Sequence, residues 1–596
     1  MKTLIPTLVM ISCFSAAAAA AAPAPTPTPA SDSPVMGAMQ AELSRAMARL
    51  RLKHFEAPYF IAYAVRDYQQ RVVSARFGAP VERGTSHARQ AWAEVHVGDY
   101  QFDNTSSERE LAFDLGDADQ WDPPTEAPVD DDPQALRGTL WLLTDAKYKR
   151  ALAAYAKKRG KRATTINEDE NLPSFSREPA TRHLDPPAPL GWDEATLAAR
   201  ATRMSALFKQ YPDLFEGAVK ISGDHVTRWF VNSENSAVVT ERTIYAVHIN
   251  ATTRAKDGML LEHEKDFYGR ALDELSDDKQ LADAIAVLAS ELRQLREAPL
   301  IDPYTGPAIL MEEAAGVFFH ETVGHRLEGE RQNDEKEGRT FKGQVGRRVL
   351  PEFLSVIDDP TVRVAGHADE PAQGGAPTIA RRPVALNGWY SFDDEGVAAR
   401  KVTLIDKGIL RDYLKSRTPI VGSLHSNGHG RAEGTASPMG RMANLFLRST
   451  KQVSTARLKE MLLDEVRRQG KPFGLIIRDI TGGSTNTSNY GYQAFKGQPR
   501  LVYRVDARNG QETLVRGVEM VGTPLTTVSR IVATSDSEGV FNGFCGAESG
   551  FVPVSTVAPA MLMSEIELQR TQKAAERPPL LPPPWADVPP PPKPRK

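Results

Sequence analysis

Two histidines five residues apart, with a glutamate beside the first, constrain this chain more than any other stretch: His320-Glu321-Thr322-Val323-Gly324-His325. Two imidazoles and a carboxylate on one short segment are the donor set with which proteins hold a hydrolytic metal. In the common helical form the histidines stand at i and i+4 and share a face, and the glutamate serves as general base. Here the second histidine stands at i+5. At about 100° per residue, the extra step swings its ring about 140° around an ideal helix, away from the first. A single-turn π-bulge across Thr322 to Gly324 would reconcile this spacing with one metal, and Gly324 is where such a distortion costs least. Met311, Ala315, Phe319, Val323 and Leu327 recur every four positions and predict a buried helix, with Glu312 and Glu313 in its first turn suited to the helix dipole. Such a helix must find partners for its polar groups, either a metal or polar neighbours in the core. The other His-Glu step, His263-Glu264, has no second histidine nearby and reads as surface charge.

Residues 1–22 read as an export signal: Lys2, an apolar run from Leu4 to Phe14, then small residues through Ala22. That run is too short to span a bilayer and no later stretch is long and apolar enough, so the mature protein is expected to be periplasmic or secreted. Cleavage near Ala22 would remove Cys13, one of two cysteines. Lipid attachment at Cys13 is the minority alternative, because Met10-Ile11-Ser12-Cys13 matches such a signal only loosely. Cys545 is then left without a disulfide partner. Either it is buried as a small apolar side chain, or its thiolate is the third protein ligand beside His320 and His325. Glu328 is the competing third ligand, and its other readings are a partner to a ligand imidazole or plain helix charge. His425, His429 and Arg431 lie in a Gly/Ser/Asn-rich loop and are candidates for substrate contact; Arg431 could polarise a carbonyl or clamp a peptide terminus.

The stretch from His320 to Glu330, the later Gly343-Gln344-Val345-Gly346, the segment Asn427 to Arg431 and Phe544-Cys545-Gly546 resemble the TldD branch of the TldD/PmbA zinc metallopeptidases. The resemblance runs from about Ala201 to about Ser555. It implies zinc bound by His320, His325 and Cys545, with Glu321 catalytic. It also implies a substrate of extended or unfolded peptide, and a dimer formed with a second copy or with a PmbA/TldE-like subunit. The PmbA branch lacks the histidine motif, so the chain is similar to the catalytic type.

Residue types and spacing together predict a zinc metallopeptidase in which Glu321 moves the proton of the attacking water. Two other classes stand beside it: a zinc hydrolase of another amide, such as a cell-wall peptide, and a non-catalytic zinc-stabilised peptide-binding scaffold. Glu321 separates the last, since a structural zinc site is closed by four protein ligands and has no use for a general base.

The chain of 596 residues is long enough for two or three domains. Its fold class reads as α+β: an N-terminal mixed domain with an antiparallel sheet and a strand-rich C-terminal domain carrying the metal helix. The expected divisions are a signal at 1–22, a Pro/Ala-rich spacer at 23–38, an N-terminal domain at 39–300 with an acidic insertion at about 103–190, a catalytic domain at 301–576 and a Pro-rich tail at 577–596. Strands are expected near Tyr59 to Val65, Val72 to Phe77, Ala91 to Val97 and Val238 to Ile249. Helices are expected over Asp193 to Tyr211 and Asp277 to Glu297, and over Thr455 to Gln469 with Gly470 closing it. A net charge of −3 with both signs interspersed gives no electrostatic footprint for nucleic acid.

Overall fold

Two sheets organise the chain in the computed structural model, which describes residues 33–105, 122–164, 171–334, 337–365, 383–487 and 495–571, with 576, 577, 579, 581 and 583–585 beyond them. The expected signal, Cys13, most of the spacer, part of the acidic stretch and most of the Pro-rich tail lie outside the described residues. The fold is α+β.

The first sheet begins as a hairpin of two 19-residue strands, β1 (Pro58–Arg76) and β2 (Ala79–Val97). They are joined at Phe77 and Gly78, both with positive φ, the geometry of a tight hairpin turn. Sequence alternation predicts three short strands here, because the polar run from Arg66 to Arg71 breaks the pattern. The run stays extended because its backbone is paired on both sides, with β2 and with a later strand. β3 (Arg182–Leu184), β4 (Glu216–Asn232), β5 (Ala237–Arg254) and β6 (Leu260–Gly269) complete the sheet in the order β2-β1-β4-β5-β3, with β6 also on β5.

Ile61, Tyr63, Val65, Val73 and Ala75 alternate onto one face of β1, and the helices α1 (Pro34–Arg49), α2 (Pro133–Thr164), α3 (Glu194–Ala206) and α4 (Asp278–Glu297) pack there. α3 and α4 start where expected, and Asp193 and Asp277 cap them, their side chains accepting from Thr196 N and Gln280 N. α2 lies within the stretch read as an acidic insertion and sends Leu136, Leu140, Leu143 and Tyr148 into the core. The opposite face, with Phe60, Ala62, Ala64 and Arg66, turns towards the C-terminal half. One expectation is corrected here. His263 is not surface charge: it is buried on β6, and its Nε2 lies 2.6 Å from Glu291 of α4.

Among the described residues the second sheet has twelve strands. Its longest, Gly550–Arg570, forms a hairpin with Ile531–Ala547 and also pairs with β7 (Tyr304–Leu310) and with Asn444–Ser449. The sheet includes two short hairpins, in which 405–406 pair with 409–410 and 502–505 with 512–515. α5 (Glu312–Thr322) lies on one face over Ala308, Leu310, Leu475, Ile477, Met561 and Met563. α6 (Thr455–Arg468) lies on the other over Ile309, Ile476 and Leu562, closed by Gly470 at φ 65°. No helix among the described residues is long and apolar enough to cross a membrane.

Candidate metal centre

α5 follows β7 directly and is buried on nearly every side: from Glu312 to Thr322 only Glu313 is exposed. Phe318 and Phe319 are fully buried, and the Phe318 ring meets Phe495 edge-on at 5.3 Å. Each such side chain contributes on the order of 2 kcal/mol by leaving water, so the position of the last turn is set by packing all round. His320 and Glu321 belong to that last turn.

The route to His325 differs from the expected bulge. The α-helix ends at Thr322, Val323 caps it, and a short 3₁₀ turn, Gly324–Leu327, carries His325. The tighter winding re-aims the ring without a π-turn. Gly324 serves close packing: a Cβ there would meet Met442 Sδ at 2.0 Å. His320 and His325 face each other with ring planes at 90° and centroids 5.1 Å apart.

Cys545 arrives from the second sheet, on the Ile531–Ala547 strand opposite Val552. Its Sγ lies 3.4 Å from His325 Nε2. The donor atoms of His320, His325 and Cys545 all fall within 4.8 Å of one another, and all three residues are buried. Arg441 holds the cysteine backbone by donating from Nη2 to its carbonyl at 2.6 Å.

Glu328 stands behind the triad. Its Oε1 is 3.1 Å from His325 Nδ1, and its Oε2 accepts from Arg331 Nε at 2.6 Å. Arg441 Nε lies 3.2 Å from the same carboxylate, and Arg331 in turn is bound by Glu548. Glu328 therefore orients the ring that bears the donor nitrogen, the usual place of a carboxylate behind a metal-binding histidine.

The electrostatics favour positive charge between these groups. Burial pushes the Cys545 thiol up, but His325 and His320 more than offset it and hold it well below the ordinary thiol range. Burial lowers His325, yet Cys545 and Glu328 lift it to about 10. Glu328 is raised by burial and brought well below the carboxylate range by Arg331 and His325. An environment that keeps a proton on His325 beside a thiolate also suits a divalent cation, with which that proton competes. His320 Nδ1 is buried and meets no hydrogen-bond partner among the described residues. Two imidazoles and a thiolate are a zinc-type donor set, so the residues fit a metal.

Glu321 lies next to the triad, buried, under the strand Phe473–Thr485. That strand passes at Gly483, where a Cβ would come 2.5 Å from Glu321 Cγ and 3.1 Å from its Oε1. Arg326 ties the two elements, donating from Nη1 to the Glu321 carbonyl at 3.0 Å and to Thr485 Oγ1 at 2.9 Å.

His429 and Arg431 are placed elsewhere. His429 is fully buried, with Nε2 3.2 Å from Asp358 Oδ1, and fixes its loop to the strand Leu354–Asp358. Arg431 donates to the carbonyl of Pro553 at 2.8 Å, behind the hairpin that carries Cys545. His425 is exposed, its Nδ1 3.4 Å from Glu178. Gly483, Arg441 and Arg331 emerge only from the structure. The one signal for them was Gly482-Gly483 in a strand, a mark of close backbone approach.

Two histidines and a cysteine converge beside a helical glutamate within a strand-rich region, a group that could hold a metal ion. Residues 303–570 match the model of the PmbA/TldA metallopeptidase C-terminal domain. The chain is similar to a metalloprotease of Methanocaldococcus jannaschii, 30% identical over 332 residues, which are 55% of this chain and 64% of that one. It is also similar to a zinc metalloprotease TldD homolog of Saccharolobus solfataricus, 25% identical over 265 residues, 44% of this chain and 51% of the relative. The chain thus spans about half to two thirds of the length of these relatives. TldE from Thermococcus kodakarensis shares the fold, with a TM-score of 0.56 at 13% identity over 89% of this chain and 100% of that one.

Proposed function

We propose that this chain is a zinc metallopeptidase that hydrolyses peptide bonds in extended or unfolded chains, with His320, His325 and Cys545 holding the metal and Glu321 as general base. The observation that carries the reading is the convergence of two imidazoles and one low-pKa cysteine, drawn from distant parts of the chain, beside a buried glutamate. Three protein donors suit a catalytic rather than a closed structural site. Zinc bound there supplies Lewis acidity, acidifying water and polarising the scissile carbonyl. Glu321 takes the proton of the attacking water and delivers it to the leaving amine. Glu328 keeps the His325 ring in place through Nδ1, and Gly483 leaves room for the Glu321 carboxylate beneath the strand.

The same strand supports an extended substrate. From Asp479 to Thr485 it pairs on one side only among the described residues, so its free edge can receive a peptide backbone as it passes Glu321. A folded protein cannot offer its backbone this way. The zinc assignment is supported by the naming of the Saccharolobus relative. Likeness to the TldE fold supports assembly with a second copy or a PmbA/TldE-like subunit. The apolar run Leu4 to Phe14 supports export, and the change of sheet between β6 and β7 supports a division near residue 300.

The test is Glu321→Gln assayed on an unstructured peptide. Cleavage is expected to fall by about 10²–10⁴-fold, the usual share of a general base, with metal content unchanged. Undiminished cleavage would remove Glu321 from the mechanism.

A further inference from the structure

The face of the first sheet that looks towards the C-terminal half carries more positive charge than it balances. Strand register aligns Arg66 of β1 with Arg228 of β4, and places Arg242 of β5 one row on, beside Val226 and Tyr68. The acid that serves them is Asp394, and it is already taken: Arg228 donates to its Oδ1 at 2.6 Å and Arg66 at 3.2 Å. Among the described residues Arg242 makes no side-chain hydrogen bond or ion pair; burial and the neighbouring Arg431 press its guanidinium down from the ordinary range, against the pull of Asp394.

Two more arginines face the same place. The last pair of β5 with β6 is Tyr245 with Gly269, so Arg270 follows directly beside Ile244. Arg270 stacks over the Trp389 ring at 4.4 Å, and Arg363 stacks over the same ring at 4.2 Å. Arg270 Nη2 donates to the Leu386 carbonyl, but its Nε is buried without a partner among the described residues. Glu274, the nearest acid, is occupied with the Arg270 backbone N–H. Burial, with Arg363 and Arg242 adding to it, brings the Arg270 guanidinium down to about 10. Stacking on an indole offsets part of the lost hydration, and Glu274 and Asp394 offset part of the charge on Arg270 and Arg242. Neighbouring guanidinium groups with unused N–H donors match a planar anion with two oxygens.

We infer that the arginine cluster between β5, the end of β6 and the 386–394 loop, in which Arg270 and the exposed Arg363 flank Trp389 and Arg242 stands near Arg270, is a binding site for a carboxylate of the bound peptide. This rests on the peptidase reading for the identity of the ligand. Arg431 joins the two regions, stacking over Tyr390 of the same loop and donating to the Pro553 carbonyl in the hairpin that carries Cys545. Phosphate-bearing ligands share the charge but not the planar two-oxygen shape.

The experiment measures binding rather than turnover, on the full-length Glu321→Gln protein. Three unstructured peptides of one sequence free of acidic side chains are compared: the free acid, the C-terminal amide, and the amide with one internal Glu. The free acid is expected to bind at least about tenfold more tightly than the amide, as one charge-assisted pair in a partly buried site supplies. If the amide with Glu gains instead, the carboxylate comes from a side chain. In both cases Arg242→Gln and Arg363→Gln, made singly, should shrink the gap to about twofold or less. Equal affinity of all three peptides, or a gap that survives both substitutions, overturns the site, as does displacement by inorganic phosphate without any preference among the peptides. Failure of the peptidase reading would show separately, as wild-type protein that binds these peptides and does not cleave them.

Discussion

Buried histidines occur in both halves of the molecule, and they differ in what they face. In the N-terminal half His96 lies 2.7 Å from Asp103, His225 lies 2.9 Å from Glu241 and His263 lies 2.6 Å from Glu291. Each imidazole there meets a carboxylate and acts as a strut. In the C-terminal half His320 and His325 face each other and a thiol, and the carboxylate stands behind His325 rather than in front of it. The two His-Glu steps make the contrast sharpest. On β6 the pleat sends His263 and Glu264 to opposite faces, so they share no task. On α5 the last helical turn keeps His320 and Glu321 in one neighbourhood, against the same crossing strand. Burial of a histidine therefore says little about chemistry; the element carrying it and the atom facing it decide.

Breaking the His96–Asp103 strut gives the largest expected effect on stability. Burial pushes His96 down, yet Asp103 and Glu94 lift it to about 9; burial pushes Asp103 up, yet His96 and Tyr59 hold it at about 2. Because His96 is raised above its unfolded value of about 6.5, its contribution is fully present below that pH and is lost as pH rises through about 9. Asp103 is depressed, so its share is present above about pH 4 and lost as pH falls towards 2. Asp103→Asn should lower unfolding free energy near pH 6 by about 3 kcal/mol and flatten the loss between pH 6.5 and 9, as denaturant titrations would read. Metal content should not change, and a variant that lost metal would erase the distinction between the two halves.

Glu328→Gln probes the other half more gently. The neutral amide keeps an oxygen near His325 Nδ1 but removes the charge that opposes Arg331 and Arg441. Metal affinity should fall by about 10–100-fold in a competition with a chelator, with little change in fold by circular dichroism. Unchanged affinity would reduce Glu328 to a strut like those of the first sheet.

The donor atoms were legible in the sequence because imidazole, thiolate and carboxylate carry their chemistry in their identity. The strands and helices that obey a clean period, such as β5, α4 and α6, were legible for the same local reason. What was not legible depends on distant neighbours. Gly324 reads alone as slack for a bulge, and only the approach of Met442 shows why a side chain is excluded there. The i+5 spacing is resolved by ending the helix, a choice set by what packs beyond Thr322. Arg66 to Arg71 looks like a break between strands until β2 and β4 are seen to pair with it on either side. His429 and Arg431 looked like cleft residues because their loop is rich in Gly, Ser and Asn, yet both are buried ties within the fold.

The central claim is that Cys545 completes a metal site with His320 and His325, and elemental analysis of the purified wild type beside Cys545→Ser tests it most directly. About one zinc per chain is expected in the wild type, falling to less than about a tenth of that in the variant after dialysis against a weak chelator. Full zinc occupancy in Cys545→Ser would contradict the ligand set.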